Sequence, residues 1–182
     1  MSRITLHQSL INRLVNCRLG KKGYRDFEKI CEDVLTYLFV PPLMGPLTQS
    51  ETRSKLRKRD FIFENREFNA DENWGKINYM FKSHLILMDA KNYDSSEINQ
   101  DTVHDVTKYL GGPRGNFALI LSSKVPEHTA IEECHLIYKK NKHLILIITK
   151  DHLIEMIISK SRGEDPSDLI IDMIYSFFTE CD

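Results

Sequence analysis

Asp89 and Lys91 stand two positions apart at the end of the apolar run Leu85-Ile86-Leu87-Met88. In an extended strand, residues i and i+2 share a face, so a carboxylate and an ammonium project side by side from the tip of a buried strand. Charge in that place needs compensation, which points to a cleft where a metal ion or an anion supplies it. The plainer alternative is a strand that runs out into solvent at Asp89. Upstream, Lys55 to Phe63 alternates with period two, setting Leu56, Lys58, Asp60 and Ile62 on one face of a second strand. Neighbouring strands can bring Asp60 and Asp89 close together, and converging carboxylates repel unless a divalent cation sits between them. Mg²⁺ suits such a site, with Asp60, Asp89 and the backbone carbonyl of Ala90 as its protein ligands. A metal there polarises a phosphoryl oxygen and lowers the pKa of a bound water. Lys91 can orient that water or neutralise charge developing on the phosphate.

The elements that must position these groups are legible as periodicities. Ile4, Leu6, Leu10, Ile11, Leu14 and Val15 recur at helical spacing before Gly20 and Gly23. Tyr24 to Phe39 forms a second helix with one apolar stripe, ended by Pro41-Pro42, and Glu28 and Glu32 lie four apart on its flank. Glu64 to Lys82 is polar, holds the single Trp74 and reads as a loop or hairpin insertion. After the Leu85 to Ala90 strand come a helix over Asp101 to Leu110, a turn at Gly111-Gly112-Pro113 and a strand from Phe117 to Leu121. A helix over Glu127 to Lys140, a strand over Leu144 to Ile148, and helices over Asp151 to Lys160 and Asp168 to Phe178 complete the chain, with Ser167 or Asp168 as a cap. Strands joined through helices tend to lie parallel, so the fold class is α/β with a partly parallel sheet.

A chain of 182 residues supports one well-buried domain, and 41% apolar with 28% charged residues is the ordinary globular balance. The net charge of -1 gives no global attraction to polyanions, so nucleic-acid affinity must come from local clusters. Arg53, Lys55, Arg57, Lys58 and Arg59 form one, leading directly into Asp60; Lys139, Lys140, Lys142 and His143 form another. The first can lay a phosphate backbone across the metal site, or simply guard a strand edge. Cys17, Cys31, Cys134 and Cys181 lack CxxC spacing and read as reduced cytoplasmic thiols, and no apolar run is long enough to span a bilayer.

Four local patterns resemble the PD-(D/E)XK nuclease superfamily with its restriction-endonuclease-like fold, most closely the Mrr-like branch. Gly23-Tyr24-Arg25-Asp26-Phe27-Glu28 is similar to that family's opening helix, Arg59-Asp60 to its first-strand Asp, and Met88-Asp89-Ala90-Lys91-Asn92 to the strand ending in carboxylate, any residue, Lys. Asn99-Gln100, ahead of a helix and the strand Phe117-Ala118-Leu119-Ile120-Leu121, is similar to the unit that follows. The likeness covers about residues 23–123, with 124–182 as a C-terminal strand and helices of one nuclease-like domain. Arg59 stands where the family pattern has Pro, and Phe61 where Mrr-like chains often have Gly. The resemblance implies a central mixed sheet flanked by helices and a Mg²⁺-dependent endonuclease acting on DNA, with Mn²⁺ able to substitute, in a restriction, defence or repair system. It implies Asp60 and Asp89 as metal ligands, Lys91 as the catalytic lysine, Glu28 as an accessory acid and Gln100 as a weaker contributor.

Two other readings compete. One is a nuclease-fold module that binds DNA or assembles with other proteins without cutting. The other is a nucleotide-binding α/β domain, against which the absence of a glycine-rich strand-to-helix turn counts. Tyr93 and Trp74 can stack on bases, although aromatics near strand ends more often pack. The C-terminal helix is apolar on more than one face and offers a surface for a second copy of the chain, although a core helix is the simpler account.

Overall fold

The computed structural model describes residues 4–47, 60–95 and 97–181, Asp60 through its backbone alone. Helix α1 (Leu6–Asn16) leads through a 3-10 turn at Gly20–Lys22 into α2 (Tyr24–Phe39). Gly23 is required at that entry, because a Cβ there would lie 1.7 Å from the Arg18 carbonyl oxygen. The stripe Phe27, Ile30, Cys31, Val34, Leu35, Leu38 and Phe39 is buried along α2, as its spacing predicts. Strand β1 (Asp60–Glu64), helix α3 (Asn73–Phe81) and strand β2 (Leu85–Lys91) follow, and then α4 (Gln100–Thr107), β3 (Phe117–Ser122), α5 (His128–Asn141) and β4 (Leu144–Thr149). Helices α6 (Lys150–Ser161) and α7 (Asp168–Glu180) close the chain.

The four strands form one mixed sheet in the order β1-β2-β3-β4, with β1 antiparallel to β2 and the other pairs parallel. All six β3 residues are buried, as expected of a strand covered on both faces. Helices α4 and α5 are the crossovers between parallel strands and pack on each other, while α1, α2 and α6 form a second group.

The stretch from Glu64 to Lys82 is not the loop or hairpin that its polarity suggests: it contains α3. Trp74, Ile77 and Phe81 form the buried side of this helix. Asn65, Asn73 and Asn78 anchor it to its surroundings. Asn78 Nδ2 donates to the Glu67 carbonyl (3.0 Å), Asn65 Nδ2 to the Trp74 carbonyl (2.9 Å), and Asn73 Nδ2 to Asp168 Oδ1 on α7 (2.7 Å). Trp74 is only 2% exposed and meets Phe39 edge-on at 5.0 Å, so it is a core residue and not a base-stacking platform. The apolar surplus of α7 is used within the chain: Ile170, Ile171, Ile174 and Phe177 are buried, and Phe178 packs against Phe81 and Tyr138. Tyr175 is the large apolar residue that α7 leaves exposed. Among the described residues no helix is long and apolar enough to cross a membrane. The four cysteines form no disulfide.

Candidate active site

The phase of the backbone hydrogen bonds determines which groups meet at the end of β2. Glu64 exchanges two bonds with Met44 (2.9 and 2.7 Å), and the Ile62 carbonyl accepts from Leu47 N–H (2.7 Å), all on the outer side of β1. Even-numbered residues of β1 thus turn their peptide groups away from β2. Asp60 and Asp89, which lie opposite each other in register, are therefore a non-hydrogen-bonded pair, the kind with Cα atoms only about 4.5 Å apart and both residues on one face. On β2 the His84 carbonyl accepts from Asn65 N–H, so the even-numbered peptides face β1. By this alternation the Ala90 carbonyl emerges on the β1 side, next to Asp60, while the Lys91 carbonyl turns to β3 and accepts from Ser123 N–H (3.1 Å).

Asp89 is 6% exposed, and the Lys91 ammonium lies 2.5 Å from its Oδ2. The i, i+2 spacing thus delivers the two side chains to one face as a contact ion pair. A buried carboxylate is tolerable only with such compensation. Lys91 also borders an open cleft of about 640 Å³ at the C-terminal end of β2, where α/β sheets characteristically receive ligands. Gly20, Lys21 and Tyr24 form one side of the cleft; Asn92, Tyr93, Asp94 and Ser95, just past the strand, form the other.

The residues expected from sequence are placed unequally. Glu28 is half-buried on α2, one turn after the cleft-lining Tyr24 and hence on the same side of the helix. Glu32 is occupied with Lys29 on the flank (3.1 Å). Gln100 opens α4 exposed and is not among the residues that border the cleft; its neighbour Asn99 caps the helix, its Oδ1 accepting from Thr102 N–H at 3.2 Å. The basic positions Arg53, Lys55, Arg57, Lys58 and Arg59 lie outside the described residues. The expected Mg²⁺ ligands, two carboxylates and a carbonyl, are hard oxygen donors of the right class, and the register sets the Asp60 backbone opposite Asp89, the residue before Ala90. Among the described residues no three His, Cys, Asp or Glu side chains converge to form a metal site.

Asn92 and Lys21 are functional candidates that the sequence reading misses. Asn92 is 5% exposed and fastens the strand end to the turn before α2, its Nδ2 donating to the Arg18 carbonyl at 2.9 Å. Lys21 sits on that turn, whose Gly20 has φ +72° and would place a Cβ 2.5 Å from Asp94 Oδ2. The Gly20-Lys21-Lys22-Gly23 run and the asparagine directly after the Asp-x-Lys triplet were the available signals. The Asp94 carboxyl is held below its ordinary value by the Ser95 backbone N–H and hydroxyl, and Lys124 donates its ammonium to the Asp94 carbonyl. Comparison with protein-family models, curated proteins and solved structures finds no match to this chain.

Proposed function

We propose that this chain is a Mg²⁺-dependent endonuclease that hydrolyses DNA phosphodiester bonds with water as nucleophile, on the plan of the PD-(D/E)XK nucleases. One observation carries the reading: Asp60 lies directly opposite Asp89 in register, and Lys91 is paired to Asp89 on the same face at the edge of an open cleft. With α3 interposed between the two strands, the succession of an opening helix with Glu28, a strand with Asp60, a strand ending Asp89-Ala90-Lys91, a helix and a strand follows the order the resemblance implies.

Asp60, Asp89 and the Ala90 carbonyl are the residues that would hold the metal, which when bound supplies a more acidic water and a polarised phosphoryl oxygen. The protein's own contribution is electrostatic. Lys91, steered by Asp89, sets a positive charge where negative charge develops on the phosphate. Glu28 adds a carboxylate from α2, while Gln100, exposed at the start of α4 and not bordering the cleft, is left without a role. Lys21 and the basic run Arg53 to Arg59 engage the backbone without reading sequence. The experiment is cleavage of supercoiled and linear DNA across a Mg²⁺, Mn²⁺ and Ca²⁺ series, with Asp89→Ala and Lys91→Ala as variants. Both are expected to lose cleavage while keeping a native circular dichroism spectrum; variants that cut as well as wild type refute the assignment.

A second reading has an observation of its own. The Asp89–Lys91 pair neutralises itself without any metal, as would suit a nuclease-fold module that binds DNA or assembles with other proteins and does not cut. DNA binding by wild type with no cleavage under any metal in the series would favour it.

A further inference from the structure

The cleft beside Lys91 carries groups that a phosphate cannot use. Tyr24 from α2 and Tyr93 from the segment after β2 both border it, and the Tyr93 hydroxyl is steadied 3.4 Å from Thr102 Oγ1. Asn92 borders it too, 5% exposed, with its amide oriented by the bond from Nδ2 to the Arg18 carbonyl. That leaves Oδ1 as a buried acceptor that receives no hydrogen bond among the described residues. A buried acceptor left unsatisfied is costly, so the position calls for a donor. A phosphodiester brings only acceptors, and a deoxyribose within a strand brings no hydroxyl. A nucleobase brings both what the aromatic walls need, a flat face, and what Asn92 needs, an N–H on its edge. In continuous duplex those faces are stacked on neighbouring bases. An unpaired nucleotide leaves face and edge free together. The volume of about 640 Å³ lies within the usual range for small-ligand sites, roughly 300–1,000 Å³, and Lys21, exposed on the rim, is placed for a flanking phosphate.

We propose that this cleft receives an unpaired DNA base, so that the substrate is a single strand, or a duplex with an unpaired nucleotide at the cut, rather than continuous duplex. The assignment rests on the nuclease reading of Asp89 and Lys91, but its test does not require cleavage. Binding is measured in EDTA by fluorescence anisotropy, with a labelled single strand, the matching duplex, the duplex with one unpaired nucleotide, and an RNA strand of the same sequence. The single strand and the interrupted duplex are expected to bind at least about tenfold tighter than continuous duplex. Tyr93→Ala is expected to lower single-strand affinity by about tenfold, the scale of one base–aromatic stack, and Tyr93→Phe to retain it. In wild type alone, 2-aminopurine at the unpaired position is expected to lose fluorescence on binding while the same probe in the flanking duplex does not. Equal affinity for single strand and duplex, a 2-aminopurine signal unmoved by binding, or an RNA strand preferred over DNA would each overturn the proposal. A base preference without cleavage under any metal would instead count against the nuclease reading alone.

Discussion

Replacing Lys91 by methionine removes the ammonium while keeping most of the apolar stem, and leaves Asp89 as a carboxylate whose side chain is only 9% exposed. At 2.5 Å the gross attraction is about 6–7 kcal/mol with an effective dielectric constant near 20. Desolvation returns part of this, and breaking one side of a buried pair typically costs about 3–5 kcal/mol. The Lys91 side chain is 23% exposed, so solvent screening places the expected loss nearer to about 2–3 kcal/mol. For a chain of this size that corresponds to a Tm lower by roughly 4–12 °C. The assay is urea unfolding of wild type, Lys91→Met, Asp89→Asn and the double variant in EDTA, which isolates the coupling between the two residues. Asp89→Asn with Lys91→Met should recover much of what Lys91→Met loses, because no buried carboxylate remains. A coupling below about 0.5 kcal/mol would refute the claim that the pair compensates a buried charge, since that is the range of surface pairs.

Other outcomes follow from the same physics. Burial acts to raise the Asp33 carboxyl, but bonds from Arg13 (2.7 Å) and Lys29 outweigh it and hold the pKa below its ordinary value; a depressed carboxyl stabilises above its unfolded pKa of about 4 and loses that contribution as pH falls through the folded value. Asp33→Asn should therefore cost no more than about 1 kcal/mol at pH 7, and thermal melts of variant and wild type should converge toward pH 3. Burial pushes the Cys31 thiol well above its usual pKa and Cys134 up to about 12, so in the native protein Ellman's reagent should reach only the half-buried Cys17 and Cys181, and all four on unfolding. Reaction of four native thiols would contradict that burial. Gly20→Ala, which meets both a positive φ and the Asp94 carboxylate, should destabilise by about 1–2 kcal/mol, measured by urea unfolding; a neutral result would mean the turn is remade without strain. Emission from Trp74, 2% exposed, should be blue-shifted and unchanged by added DNA, and a DNA-dependent shift would show that α3 moves on binding.

Helix α2 was legible because its apolar residues repeat at one spacing between Gly23 and Pro41, and the parallel strands because they read as uninterrupted apolar runs between helices. Helix α3 was not, since Asn73 and Asn78 look like turn residues until their partners on other elements are known. Propensity is local, and tertiary hydrogen bonds override it.

For the candidate site the division is similar. Sequence alone determined that Asp89 and Lys91 share a face, because alternation along a strand is a property of the backbone. It also singled out Asp60 as a second carboxylate on a neighbouring strand. Only the tertiary structure decided that Asp60 stands directly opposite Asp89, that the Ala90 carbonyl turns to the same side, and that Asn92, Tyr24 and Lys21 border the cleft at the strand end. Register and the docking of the Gly20–Gly23 turn are set by contacts between segments far apart in the chain, and no local spacing encodes them.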